Sequence, residues 1–343
     1  MAAIPPSPPV SHDTILEIGP VLIGALMSYL LMGTLIVQLC SEITDIYYMS
    51  FPKDRLFVKL TVYSVFVLDL VSTVAITDSV WLMIILGWGR FENLHLVDWG
   101  FTTVPLWNSL SSAIVQVFFG WRVWMLGSNH SINEFEKKFW TTVTVLIFAV
   151  SATQVVGAIV STARFVPISD LAFVSILFPS TAIWLSASAT ADVMITVSMT
   201  VLLGRAIAQS RSDHFSRITR KTDALLTRFI RNTIETAAIT AGAAILELIL
   251  FFRLPNTGLH IAIALILSKL YTNTLLASLN SRASFCRQEG SVGSFSHIAS
   301  QLDHVPHAPS GTGPSLPMST MIKVMRPVVS TLEDDIPMNT YKY

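Results

Sequence analysis

Long apolar runs alternate with short polar segments along most of this 343-residue chain, and residues 283–343 are polar throughout. A membrane-spanning helix needs about 20 apolar residues, whereas a spanning β-strand needs only about 10 residues of alternating polarity. Continuous runs of this length favour helices, because each segment must close its own backbone hydrogen bonds in lipid. Seven runs are long enough: 19–40, 57–80, 103–126, 139–161, 176–203, 229–252 and 259–279. We therefore predict an all-α polytopic membrane protein, a seven-transmembrane-helix bundle.

The composition agrees with this pattern. The chain is 52% hydrophobic and 13% charged, whereas soluble globular domains carry about 25% charged residues. A soluble fold so poor in charge would expose large apolar patches and aggregate. The formal net charge is zero, so charge does not indicate nucleic acid as a partner. The predicted partner is the lipid bilayer, of either the plasma membrane or an endomembrane.

Lysine and arginine residues near the ends of the runs predict the orientation. Eleven of them lie at the first, third and fifth connections, three lie at the second, fourth and sixth, and the N-terminal segment has none. Because cytoplasmic loops carry the excess of positive charge, we predict the N-terminus outside and the C-terminus in the cytosol. The predicted organisation is a short extracellular segment, 1–18, a transmembrane domain, 19–282, and a disordered cytoplasmic tail, 283–343.

The fifth connection, residues 205–228, is long and basic. Its charge is typical of a cytoplasmic loop and would also attract anionic lipid. Together with the tail, this loop is a candidate site for a cytoplasmic protein partner. The sequence leaves these interpretations open.

Three ionisable residues fall near the middle of predicted spans: Asp69 in the second, Asp192 in the fifth and Lys269 in the seventh. Glu235 and Glu247 lie nearer the two ends of the sixth. Each mid-span charge costs about 2.5–3.5 kcal/mol on insertion scales, so such residues are rare and usually paired. Depth alone makes Asp69 and Asp192 candidate partners of Lys269.

Two interpretations of these charges stay open. In the functional one, Asp69, Asp192 and Lys269 line a polar pocket that binds a small-molecule ligand or relays protons. In the structural one, they form a buried ion pair or water cluster that fixes the register of the helices. Gln116 and Gln154, in the third and fourth spans, are expected to hydrogen-bond to neighbouring helices.

Sequence motifs give no indication of catalysis. No histidine falls in the middle of a span, and HExxH, GxSxG and phosphate-loop patterns are absent from the sequence,. We therefore predict that the protein is not an enzyme, with no catalytic residues, no metal site and no cofactor.

Several stretches resemble an uncharacterised seven-transmembrane family of mushroom-forming (basidiomycete) fungi that is defined by a domain of unknown function. They are Leu68–Thr73, Val115–Leu126, Ala191–Leu203, Thr222–Ala237 and Ser268–Arg282. The last is the most specific, since that family's final span ends in a similar tyrosine–asparagine–leucine–asparagine pattern. The resemblance implies a membrane location, seven helices and a fungal source, but no activity.

A narrower resemblance concerns microbial rhodopsins. Asp98–Leu106 is similar to the aspartate–tryptophan–threonine–proline stretch of their third helix, and Lys269 to their retinal lysine. In this chain Val104 interrupts the stretch, and Leu265 stands where those proteins place an aspartate one turn before the lysine. Retinal binding is therefore a minor hypothesis.

The seven-span topology is also that of G-protein-coupled receptors, although topology alone is fold-level analogy. The leading functional hypothesis is a receptor-like or ligand-binding membrane protein. The alternatives, in order, are a transporter or proton-coupled carrier that uses the mid-membrane Asp and Lys charges, a retinal protein, and an intramembrane enzyme.

Overall fold

The structure, a computed structural model, describes residues 12–41, 56–86, 98–130, 133–166, 177–212, 217–255 and 257–302. Within these ranges every regular element is helical, which confirms the predicted all-α class.

Seven long helices follow one another along the chain: α1 His12–Ser41, α2 Leu56–Trp81, α3 Val104–His130, α4 Glu134–Phe165, α5 Phe178–Ser212, α6 Arg217–Arg253 and α7 Leu259–Leu302. A π-helical turn, Leu82–Leu86, follows α2, and a short helical turn, Trp99–Thr102, precedes α3. Pro105 and Pro179 each occupy the second residue of their helix. Proline is accommodated in a first turn, where its missing N–H costs no intrahelical hydrogen bond.

All seven predicted spans are confirmed within the described residues. The parts of the helices that are apolar and long enough to cross a membrane are Ile18–Cys40, Phe57–Trp81, Trp99–Ser128, Glu134–Phe165, Phe178–Arg205, Ile234–Arg253 and Leu259–Asn280. The helices extend past the apolar runs at several ends, because polar residues can continue a helix outside the hydrocarbon region. The direction in which the bundle crosses the membrane stays a prediction.

The exterior of the bundle is apolar. Leu30, Val37, Leu60 and Val156 are each at least 60% exposed, whereas many serine, threonine and amide side chains are buried. Water around such an exterior would be strongly unfavourable. This arrangement fits a multi-pass membrane protein with lipid on the outside and polar groups inside.

The last helix, α7, is the centre of the bundle. The most apolar stretch of α7 is 61% buried inside the bundle, whereas the corresponding stretches of α1 and α4 are each 33% buried. Polar side chains join α7 to two neighbours: Asn108 on α3 donates to the Ala264 carbonyl at 2.7 Å, and Asn273 donates to the Leu31 carbonyl on α1 at 3.1 Å. Such hydrogen bonds between helices fix their rotation and depth in an apolar surrounding.

The backbone of α7 continues as a helix to Leu302, beyond residue 282, where the predicted transmembrane domain ends. No proline interrupts the chain from Leu259 until Pro306, so backbone chemistry does not force an earlier stop. Residues 303–343 of the predicted tail lie outside the described residues. The chain divides into two compact units, residues 1–292 and 293–343, and the bundle belongs to the first.

Gly24 allows α1 to lie directly against α7. A Cβ atom at this position would lie 2.7 Å from the Ala262 Cα and 2.8 Å from its carbonyl oxygen. These are backbone atoms that cannot rotate away, so Gly24→Ala must separate the helices. We expect a loss of about 1–3 kcal/mol, as for other overpacked sites, measured as unfolding free energy in detergent. Gly33→Ala on the same helix is the control, since nothing lies within 4 Å of its Cβ position. Equal effects of the two substitutions would contradict the close approach.

Candidate functional site

The structure brings Lys269 and Asp69 together. Lys269 lies on α7 and Asp69 on α2, both side chains are 0% exposed, and the Lys269 Nζ is 3.8 Å from the Asp69 Oδ1. The same Nζ donates a hydrogen bond of 3.1 Å to the Asp69 backbone carbonyl. That carbonyl also accepts a bond from the Thr73 hydroxyl at 2.7 Å. The ammonium therefore contacts both the side chain and the backbone of one residue on α2.

The Asp69 carboxylate is incompletely bonded. Neither of its oxygen atoms makes a hydrogen bond by distance and angle, although the hydroxyls of Ser268 and Thr272 on α7 lie close enough to interact with it. At 3.8 Å the contact with Lys269 is longer than the 2.7–2.9 Å typical of charge-assisted hydrogen bonds. A buried charge in an apolar bundle is normally surrounded by donors. This carboxylate therefore has capacity for additional donors.

Asp192, on α5, lies in a different hydrogen-bond network. Its Oδ1 accepts from the Gln116 amide on α3 at 2.9 Å, and its Oδ2 accepts from the Tyr271 hydroxyl on α7. Gln154 on α4 donates to the Gln116 Oε1 at 2.8 Å. Four helices thus contribute to this network, and Gln116 and Gln154 hydrogen-bond between helices as expected. Asp192 is not part of the contact between Lys269 and Asp69.

Glu247 adds a second acid near this network. It is 2% exposed and interacts electrostatically with Asp192 and Tyr271. The Ser188 and Tyr271 hydroxyl oxygens lie 3.4 Å apart. The sequence placed Glu247 near an end of the sixth span, but α5 and α6 run antiparallel, with Thr196 donating to the Ala237 carbonyl at 3.1 Å. This pairing brings Glu247 within one or two turns of Asp192.

A small, mostly apolar cleft lies beside the centre of the bundle. Four of the long helices and both short helical turns line it, and the lining residues include Val21 on α1, Ile76 on α2, Val104 on α3 and Leu265 on α7. Leu265 precedes Lys269 by four residues, which is one helical turn. The cleft is therefore one turn of α7 away from the Lys269–Asp69 pair.

The rhodopsin-like stretch has a local structural role. The Asp98 carboxylate accepts a hydrogen bond of 3.3 Å from the Gly100 N–H and caps the turn Trp99–Thr102. Lys269, the counterpart of the retinal lysine, is paired with Asp69 instead. The two residues that carry this resemblance thus make separate interactions.

Metal ligands do not gather in the described part of the chain, where no group of three or more His, Cys, Asp or Glu side chains could hold an ion. The two buried polar centres are the Lys269–Asp69 pair and the network around Asp192. Each combines a single carboxylate with other polar groups, which include ammonium, amide, phenol and serine groups. Such groups can bind a polar molecule or hold helices together.

Seven apolar helices around two buried polar centres define a multi-pass integral membrane protein. Residues 188–284 match the model of a family of unknown function, DUF6534. This confirms a resemblance to a family of unknown function for the stretches between Ala191 and Arg282, while Leu68–Thr73 and Val115–Leu126 lie outside the match and the fungal source stays a prediction. Neither a curated protein nor a solved structure matches the chain. The match assigns no activity.

Proposed function

We propose that this chain is a receptor-like, ligand-binding membrane protein whose small-molecule ligand is recognised at Asp69 and Lys269. The observation that carries the proposal is the fully buried Asp69 carboxylate, whose oxygens make no well-formed hydrogen bond although the Ser268 and Thr272 hydroxyls lie near it. Leaving such a group unsatisfied costs about 1–3 kcal/mol or more. A ligand that donates hydrogen bonds to it would recover this free energy on binding.

The chemistry of the site favours an amphipathic ligand. The ammonium of Lys269 offers donors, the carboxylate of Asp69 offers acceptors, and the cleft one turn away offers apolar walls. In this structure the cleft has room for about one water-sized group,, so the apolar body of a ligand would have to widen it by separating the helices. The proposal includes no catalytic reaction, and residues 205–228 are proposed to bind a cytoplasmic protein partner.

The test is identification of molecules that co-purify with the protein in mild detergent. Wild type, Lys269→Met and Asp69→Asn would be extracted and analysed by mass spectrometry, and their visible spectra recorded with and without added retinal. We expect one compound in the wild type that both substitutions reduce at least tenfold. Lys59→Met, which removes a lysine from the same helix α2 ten residues away, is the matched control and should retain it. Equal recovery from all four proteins would overturn the proposal.

A proton-coupled carrier is the second candidate. It is favoured by one observation, the burial of Asp192 and Glu247 within electrostatic reach of each other. Buried carboxyls of this kind act as proton relays in many transporters. Proton-driven solute flux in liposomes that Asp192→Asn abolishes would support the carrier, and its absence across a solute panel would favour the receptor-like protein.

A further inference from the structure

Six buried oxygen atoms on α1, α2, α3 and α7 make no well-formed hydrogen bond. They are the Oγ atoms of Ser28, Ser72, Ser111 and Ser268 and both carboxylate oxygens of Asp69. Each of these residues is at most 1% exposed. Together with Lys269 they are called here the α7 polar centre.

The serine on α1 lies directly against α7. Gly24 approaches the Ala262 backbone, and the Leu31 carbonyl accepts a hydrogen bond from Asn273. Ser28 follows Gly24 by four residues and precedes Leu31 by three, so all three share one face of α1. Ser28 therefore faces the part of α7 between Ala262 and Asn273, where Lys269 lies.

The remaining serines reach the same place from α2, α3 and α7. Ser72 follows Asp69 by three residues and shares its face of α2. Ser111 follows Asn108 by three residues, and Asn108 donates to the Ala264 carbonyl of α7. Ser268 interacts with the Asp69 carboxylate. Helical spacing thus places these oxygen atoms on faces of α1, α2 and α3 that are turned toward α7, and on α7 itself.

Several hydroxyls nearby on α2 and α3 are satisfied by their own helix, although those of Ser151 and Thr162 on α4 are not. Thr73 donates to the Asp69 carbonyl at 2.7 Å, Ser79 to the Ala75 carbonyl at 3.0 Å and Ser109 to the Leu106 carbonyl at 3.0 Å. This back-bonding is the ordinary solution for serine and threonine in helices. Since the serines of the α7 polar centre do not adopt it, their hydroxyls are available to another partner.

We infer that the α7 polar centre is a binding site for buried water, which bridges the Lys269 ammonium, the Asp69 carboxylate and the serine hydroxyls. A buried water needs two to four polar partners and can both donate and accept, which matches this mixture of acceptors, hydroxyls and ammonium. A bridging water also accounts for the 3.8 Å separation of Nζ and Oδ1, since a water can bond to both atoms. The proposed ligand would bond to the same Asp69 oxygen atoms, so water and ligand are alternative occupants of this site, and an experimental structure distinguishes them.

The first test is an experimental structure of the wild-type protein at a resolution that shows ordered solvent. We expect at least one water within about 2.7–3.2 Å of an Asp69 carboxylate oxygen and of a serine hydroxyl. Serine hydroxyls bonded to carbonyls of their own helix around a dry site would overturn the inference. An organic molecule at these atoms would also overturn it, and would support the proposed function instead.

The second test compares two buried serines on α3. If water bridges the Ser111 hydroxyl, Ser111→Ala removes a water partner and should lower Tm in detergent by about 2 °C, since 1 kcal/mol shifts Tm by about 2–4 °C at 150–250 residues and by less in a longer chain. Ser109→Ala is the matched control, because that hydroxyl bonds only within its own helix, and its Tm should stay within about 1 °C. An unchanged or higher Tm for Ser111→Ala would mean that the hydroxyl is unsatisfied, and would overturn the inference.

Discussion

Lys269→Met is expected to lower the free energy of unfolding by about 3–5 kcal/mol, the loss seen when one partner of a buried ion pair is removed. The substitution leaves the Asp69 carboxylate at 0% exposure with no cation beside it. It also removes the hydrogen bond from Nζ to the Asp69 carbonyl. Methionine retains a flexible chain of similar length, so little of the loss should come from a cavity. Unfolding in mixed detergent micelles measures the effect.

The double variant Asp69→Leu/Lys269→Met distinguishes a charge effect from a packing effect. Buried pairs replaced on both sides by apolar residues of similar volume are often neutral or stabilising, by about 1–4 kcal/mol. We therefore expect the double variant to recover most of the stability lost in Lys269→Met. Recovery of stability without recovery of the co-purifying compound would identify the pair as a recognition element. A double variant as unstable as the single one would show that Lys269 acts through packing, not through charge.

The sequence predicted the spans and the depth of the charges, because both depend on position along one helix. Seven apolar runs and three mid-span charges can be recognised along the chain without knowing which helices are in contact. The partner of Lys269 could not be decided in this way, since Asp69 and Asp192 are equally deep. Which aspartate pairs with Lys269 depends on how each helix is rotated about its axis. Hydrogen bonds made by Asn108 and Asn273 fix that rotation for α7, and they join it to helices that are far away in the sequence.

Tyr271 is the site residue that sequence reasoning missed. A tyrosine in the second half of an apolar span has an ordinary structural interpretation, and only its contact with Asp192 distinguishes it. One signal was present: Tyr271 follows Lys269 by two residues and so points to a nearly opposite face of α7. A span with polar groups on two faces must be surrounded by other helices, which agrees with the central position of α7.

Asp192→Leu is the second substitution with a large expected effect, a loss of about 2–6 kcal/mol, because two buried donors then lack an acceptor at about 1–3 kcal/mol each. Those donors are the Gln116 amide and the Tyr271 hydroxyl. Thr190→Val is the matched control on α5, since its exposed hydroxyl bonds only to the Ser186 carbonyl, and it should change stability by less than about 0.5 kcal/mol.

A double-mutant cycle with Tyr271→Phe shows whether Asp192 acts through this network. Interhelical hydrogen bonds in membrane proteins contribute about 0.6 kcal/mol on average and about 1.7 kcal/mol at most. A coupling between Asp192 and Tyr271 near the upper value is expected, because the acceptor is a carboxylate and both groups are buried. Additive losses would show that Asp192 stabilises the bundle through other contacts. Strong coupling together with unchanged recovery of the compound in Asp192→Leu would separate the two centres by role, with α5 held to α7 at Asp192 and ligand recognition on α2 and α7 at Lys269.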